Sequence, residues 1–344
     1  MSVAVGPILL DLVVLLVAAK LAGELAERIG QPPVLGELLA GILLGPSLLA
    51  FIDLSGHGGS VPLVVFVAQV GAILLLFEVG LETRLKDMTS VGRSAALVAL
   101  LGIVGSFAVG FGTSWALARA GLWSDRLLFH VFVGATLTAT SVGITARVLS
   151  DMGRLATPEA RTILGAAVLD DVGGLLILAV VSALAAGSVD PWVIARQAGL
   201  GLLFLAGSVM VGVRLAPRAL DLAMRLRARG LLVVVGVAFA FLMAYLAEVV
   251  GLASIVGAFA AGLILAQTRQ HAALHERTRT LADLFVPVFF VYVGLQMDLR
   301  VVAGSGATFA LVAGALFVAA VAGKLLAGLG VLERGMSRLA VGVG

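Results

Sequence analysis

Leu164-Gly165-Ala166-Ala167-Val168-Leu169-Asp170-Asp171-Val172-Gly173-Gly174-Leu175-Leu176 places two adjacent acids inside an apolar run. Upstream, Thr157 is suited to cap a helix, Pro158 to its first position and Glu159 to its first turn. The helix predicted from there continues to about residue 187, so the aspartates lie near its middle. A carboxylate at the centre of a bilayer costs about 2.5–3.5 kcal/mol on insertion scales. A pair persists there only beside water, an ion or a partner charge. Successive residues on a helix point about 100° apart, so both acids cannot face one groove equally. One can line an ion path while the other turns to a partner.

The rest of the chain requires lipid as its solvent. Of 344 residues, 61% are hydrophobic and 12% charged, and mean hydropathy is +1.15; soluble domains carry roughly 25% charge. Cysteine is absent, which excludes disulfides, thiolate metal sites and cysteine nucleophiles. Met1-Ser2-Val3 lacks a basic leader, so no cleavable signal peptide is expected. A bilayer core is crossed by roughly 20 apolar residues in a helix. Eleven such crossings are predicted, at 7–27, 34–52, 62–82, 92–118, 127–149, 158–187, 191–214, 230–249, 251–267, 281–299 and 304–331. A twelfth run opens near Met336 and is cut at Gly344. Basic residues sort by loop. Seventeen, from Arg28 to Arg338, fall after odd-numbered crossings, and only Arg119, Arg126 and Arg300 fall after even ones. Odd loops are therefore expected in the cytoplasm and the N-terminus outside.

Two segments recur. Gly36-Glu37-Leu38-Leu39-Ala40-Gly41 in crossing 2 parallels Gly257-Ala258-Phe259-Ala260-Ala261-Gly262 in crossing 9. Val79-Gly80-Leu81 in crossing 3 parallels Val293-Gly294-Leu295 in crossing 10. Both pairs are seven crossings apart, and an odd separation means that the repeats traverse the membrane in opposite senses. That is the inverted-repeat arrangement of secondary transporters, whose sites form near the midplane on interrupted helices. It predicts partners for crossings 5 and 6, as crossings 12 and 13, that this stretch of chain lacks.

Two further features carry chemistry. Lys324 lies nine residues before Glu333, near the midplane at about 1.5 Å per residue. The chain has 20 arginines and only three lysines, and a buried lysine can lose its proton where an arginine cannot. Lys324 is thus a candidate counter-ion for one aspartate and a candidate proton carrier; the bland reading is a snorkelling lysine. Thr136-Leu137-Thr138-Ala139-Thr140-Ser141-Val142-Gly143 clusters hydroxyls and glycine at equivalent depth in crossing 5. Its hydroxyls and freed carbonyls could ligate a hard cation such as sodium, or serve only as small polar helix contacts. Glu78 and Glu248 are read as lining cavities or lying near a surface. His57, His130, His271 and His275 fall in or near loops and are read as solvated rather than as ligands. His271 and His275 share a helical face without an acidic third ligand, so no metal centre is assigned. Gly328-Leu329-Gly330 has neither the strand nor the lysine of a phosphate loop.

On Gly36 to Pro46, Phe77-Glu78-Val79-Gly80-Leu81-Glu82, Thr138 to Ala146, Leu169-Asp170-Asp171 and Gly323-Lys324, the chain resembles the second monovalent cation:proton antiporter family, close to its bacterial NapA type. The resemblance covers essentially the whole chain. It implies an all-α integral membrane protein of about 13 helices, about 11–12 of them in this chain, with an inverted-repeat transporter fold and two crossed broken helices. Crossing 5 would be one and crossing 12 the other. It further implies a scaffold and dimer domain over 1–88 and 230–300, an ion-translocating core over 89–189 and 301–344, and a linker helix over 190–229. Asp171 would bind Na+ or the proton, Asp170 would pair with Lys324, and Thr138, Thr140 and Ser141 would border the ion path. The implied activity is electrogenic exchange of cytoplasmic Na+, or Li+, for external protons, serving pH homeostasis. It would be carried out by a homodimer in a bacterial plasma membrane, with no cofactor, no nucleic-acid partner and no enzymatic reaction. Potassium/proton exchange is the alternative within the family. An intramembrane aspartyl protease needs its two acids on separate helices, and a channel would lack obligatory proton coupling.

Overall fold

The computed structural model describes residues 5–46, 48–51, 61–83, 92–185, 191–223, 230–300, 306–332 and 335–343. Some side chains on the helices, that of Asp171 among them, lie outside the described set. The elements are α1 (Val5–Arg28), α2 (Pro33–Leu44), α3 (Val61–Glu82), α4 (Gly92–Arg119), α5 (Leu127–Thr138), α6 (Val142–Asp151), α7 (Pro158–Ala185), α8 (Pro191–Ala223), α9 (Leu231–Val249), α10 (Ser254–Leu265), α11 (His271–Leu295), α12 (Gly306–Ala327) with a 3-10 turn at Gly328–Gly330, and α13 (Arg338–Val343). The described residues are helical, with no strand among them. Seven stretches, from Leu63–Glu82 to Gly306–Gly330, are each long and apolar enough to cross a bilayer. Large apolar residues such as Leu21, Val234 and Phe317 face outward, as lipid-exposed positions must. The chain is a multi-pass membrane protein.

A helix stands at each of the eleven predicted crossings, seven of them long and apolar enough to span a bilayer, and the bounds of crossings 2, 7 and 10 differ most. Crossing 2 stops at Leu44, because Gly45 turns extended (ψ −176°) and Pro46 cannot donate to a continuing ladder. Crossing 7 runs through Pro217 to Ala223, and crossing 10 begins ten residues early, at His271. Polar residues such as His275, Glu276 and Arg277 mark the edge of an apolar window but not the end of a helix, so a hydropathy reading clips them. Crossing 5 is broken, as the resemblance implies: α5 ends at Thr138 and α6 starts at Val142.

The inverted repeat is physical. Gly41 of α2 lies against Gly294 of α11, and a Cβ on either would overlap the other helix's backbone, at Val291 O or Leu38 O. Their repeat equivalents do the same: Gly262 of α10 meets Gly80 of α3, at Phe77 O and Phe259 O. Gly36 presses on Ala22 of α1 as Gly257 presses on Met243 of α9. Gly80 and Gly294 are 214 positions apart in the chain. Gly71 and Phe285 share that separation, and Gly71 packs directly on the Phe285 carbonyl. Two repeat-equivalent residues in mutual contact locate the pseudo-two-fold axis between α3 and α11. Around it Phe77, Phe259 and Phe290 are fully buried. On the other side of the molecule, α4 packs against α5, α7 and α12. There Gly323 of α12 sits flat on Ser106 of α4, where a Cβ would come 2.6 Å from Ser106 Cα.

Candidate ion-binding site

The broken helix supplies the site. Thr136 Oγ1 donates to Phe132 O at 2.9 Å and Thr138 Oγ1 to Ala135 O at 2.7 Å. Such side-chain bonds compete with the helical ladder. Ala139 then adopts φ −56°, ψ 130° and Ser141 φ −86°, ψ 103°, neither of them helical. Ser141 restarts the chain as the N-cap of α6, its Oγ accepting from Ile144 N at 3.3 Å. A break at this depth leaves the last carbonyls of α5 and the first N–H groups of α6 without helical partners. It also points a negative and a positive dipole end at one place.

Lys324 answers the negative end. Its ammonium donates to Thr138 O at 2.9 Å and to Thr140 Oγ1. The same nitrogen is 3.8 Å from Asp170 Oδ2, an ion-pair distance but too long for a hydrogen bond. The Thr140 hydroxyl is within reach of both Asp170 and the Thr138 carbonyl, 3.3 Å away. Thr138 and Asp170 are buried, and Lys324 is partly so. Thr140, Asp170 and Lys324 border a cavity of about 270 Å³ that Ala139 and Ser141 also line. The close packing of Gly323 on Ser106 is what lets α12 bring Lys324 this near.

Of the predicted residues, Thr138, Thr140, Asp170 and Lys324 meet, and Ser141 lies on the rim of the same cavity. Asp171 follows on α7, with its side chain outside the described residues. Sequence reading missed that Lys324 spends its hydrogen bonds on the broken helix and faces Asp170 only through space. No local pattern encodes a contact spanning 186 positions.

Two histidine assignments, His130 and His275, need correction. His130 is 2% exposed. Its Nδ1 is 2.7 Å from Ser114 Oγ and its Nε2 3.3 Å from Asp125 Oδ1, and its ring meets Phe111 edge-on. His275 is half-buried and pairs with Glu82 at 2.9 Å. His271 Nδ1 lies 3.0 Å from Thr268 O, and His57 lies outside the described residues. Glu78 does line a cavity, on the face that carries the basic loops, and Glu248 is exposed. Glu37 and Arg147, read only as part of a repeat and as a topology marker, approach to 3.6 Å there. Arg147 also binds Asp151 at 2.9 Å. The i, i+4 spacing of Arg147 and Asp151 was the available signal.

The chain is similar to known proteins. Residues 12–339 match the family described as sodium/hydrogen exchanger, transmembrane. The high-affinity Na+/H+ antiporter NhaS3 of Synechocystis is 37% identical, over 98% of this chain and 79% of its own. The Na+/H+-K+ antiporter GerN of Bacillus cereus is 35% identical, over 83% and 71%. The Na+/H+ antiporter of Enterococcus hirae is 34% identical, over 83% and 72%. The sodium proton antiporter MjNhaP1 of Methanocaldococcus jannaschii shares the fold, with a TM-score of 0.66 at 20% identity over 96% of this chain and 79% of that one. The chain therefore belongs to the sodium/hydrogen exchanger family of transmembrane proteins.

Proposed function

We propose that this chain exchanges cytoplasmic Na+, with Li+ as a further cargo, for external protons by alternating access, and that the exchange is electrogenic. The observation that carries this reading is the mid-membrane junction of α5 and α6, where two freed helix ends meet Lys324, Thr140 and Asp170. In this reading Asp171 holds Na+ or a proton in turn, so the carrier crosses loaded with one or the other. Asp170 and Lys324 form the accompanying charge pair. An ammonium can surrender its proton as the cation enters, which a guanidinium could not do. Thr138, Thr140 and Ser141 offer neutral oxygens, which suit a hard cation.

The groups 1–88 and 230–300 serve as the scaffold on which a homodimer forms, 190–229 links, and 89–189 with 301–344 moves. The basic loops face the cytoplasm and the N-terminus the outside of a bacterial plasma membrane. Relatives named for Na+/H+ exchange favour sodium over the potassium alternative, although GerN is named for potassium as well.

The test is proton flux in proteoliposomes carrying a pH-sensitive dye. The wild-type chain is expected to answer Na+ at lower concentration than K+, and Asp171→Asn to give no response. Normal Na+-driven flux from Asp171→Asn would end the reading.

A further inference from the structure

Polar contacts hold both ends of the half-helix α5. At its inner end the Thr138 carbonyl accepts from Lys324 at 2.9 Å. Its other end, on the face away from the basic loops, is tied by His130, a residue to which the exchange just described gives no part. Ser114 of α4 is fully buried and His130 is 2% exposed. The Asp125 carboxylate, 3.3 Å from Nε2, can only accept, so in the neutral ring that nitrogen carries the hydrogen. Nδ1 is then an acceptor, and the Ser114 hydroxyl donates to it at 2.7 Å. Trp123 closes over this chain: its Nε1 donates to Ser114 O at 2.8 Å and its ring meets Phe129 edge-on. Arg126, the N-cap residue of α5, makes no capping bond with its side chain.

The seam between α4 and α5 carries this tie to the ion site. Four residues along from Ser114 and His130, Gly110 meets Gly134, where a Cβ on Gly110 would come 3.2 Å from the other Cα. One more turn of the same antiparallel register reaches Ser106 and Thr138, the residues that meet Gly323 and Lys324 of α12. The glycines set how closely the two helices lie. They leave the position of α5 along its own axis to the hydrogen bonds at its ends, whose lengths are fixed to within a few tenths of an ångström. From His130 to Thr138 is about 12 Å along a rigid helix, so a shift at one end arrives at the other.

We propose that His130 is a positioning residue for cation selection: through Ser114 it fixes the depth of α5, and with it the carbonyl end that faces the ion. Cations of equal charge and different radius, such as Na+ and Li+, are told apart by where fixed oxygens stand. This rests on the reading that the α5–α6 junction takes the cation.

The first test compares the KM for Na+ with that for Li+ in proteoliposomes. Loss of folded protein lowers both rates alike and leaves the ratio of the two KM values in place. Ser114→Ala and His130→Phe are each expected to change that ratio about threefold. The double variant is expected to change it no further, since both substitutions remove one bond. Its melting temperature is expected to recover towards wild type, because an apolar pair leaves no buried polar group unpartnered. His130→Asn, whose side chain can put a polar atom where Nδ1 stands, is expected to hold the ratio within about twofold of wild type. Arg119→Gln, at the same end of α4 but exposed and lying over the Trp115 ring, is expected to leave it. A ratio unchanged in folded Ser114→Ala, one that returns with the melting temperature in the double variant, or one moved equally by Arg119→Gln overturns the proposal. Should His130→Phe yield no folded protein, Ser114→Ala and the double variant decide with the same outcomes.

The second test needs no transport. Hydrogen–deuterium exchange of the purified full chain is read at the backbone amides of 139–143, across the junction. It is expected to quicken about threefold in Ser114→Ala and to hold in Arg119→Gln. Equal exchange in wild type and Ser114→Ala ends the proposal. A wild-type chain that moves no protons against Na+ would defeat the exchange reading, while this measurement still decides whether His130 positions α5.

Discussion

At the α2–α11 and α3–α10 crossings backbone meets backbone, whereas at the α5–α6 junction backbone is left facing a cavity. Both regions are built from small residues. In the first, Gly41, Gly294, Gly80 and Gly262 remove every atom that would hold two helices apart. In the second, Thr138, Ala139, Thr140 and Ser141 end one helix and start another, and the exposed peptide groups must be met from outside by Lys324. Small side chains in a membrane helix thus serve two opposite purposes. Where the ladder continues they bring helices together; where it stops they make room for charge.

The largest expected effect breaks the first region. Gly80→Leu has no direction in which to relax, since its Cβ would overlap the Phe259 carbonyl. Overpacking that cannot relax costs about 1–3 kcal/mol or more, so no monodisperse peak is expected on size exclusion. The repeat sharpens this: Gly262→Leu should fail equally, and normal recovery of either variant would refute the backbone-on-backbone account. Next comes Lys324→Met, which leaves the Thr138 carbonyl and Asp170 without their cation. Breaking a buried pair costs about 3–5 kcal/mol. Lys324 retains partial exposure, so about 1–3 kcal/mol is expected, read as a lowered melting temperature.

Lys324→Gln keeps a donor for the carbonyl and should melt closer to wild type. Its exchange should lose coupling to a clamped membrane potential, and unchanged voltage dependence would remove Lys324 from the ion cycle. Thr140→Val removes the hydroxyl between Lys324 and Asp170 at a cost of about 1–2 kcal/mol, with slower Na+-driven proton flux. The smallest effect belongs to Ser141→Ala. Its cap bond is long, at 3.3 Å, so about 0.5 kcal/mol, the low end for a lost N-cap, should appear in the melting temperature. A larger loss would mean that Ser141 does more than start α6.

Legibility in the sequence followed the same division. The glycines that touch across the pseudo-axis were visible because close approach admits only one residue type, so the constraint left a repeated trace. Lys324 was visible because it breaks an arginine habit in an apolar run. The threonine cluster was visible as polarity at mid-membrane depth, and the break between α5 and α6 lies within it. The Glu37–Arg147 approach was not visible, since each residue had a sufficient local explanation, one as part of a repeat and the other as a marker of a basic loop. His130 was misplaced because proximity to a loop says nothing about the Ser114 and Phe111 side chains that enclose it.

By itself the sequence determined that the chain lives in lipid, that its helices repeat in opposite senses, and that acids and a lysine stand inside apolar helical runs. These follow from apolar run length, from spacing and from the cost of burying charge, all of which are local quantities. Only the tertiary structure decided which groups those charges meet. Lys324 reaches the carbonyl of Thr138 and the hydroxyl of Thr140 before it reaches an acid, and Glu37 keeps an oxygen without a partner among the described residues. The reason is that a hydrogen bond is fixed to within a few tenths of an ångström by the packing of several helices at once. No stretch of one helix carries that information.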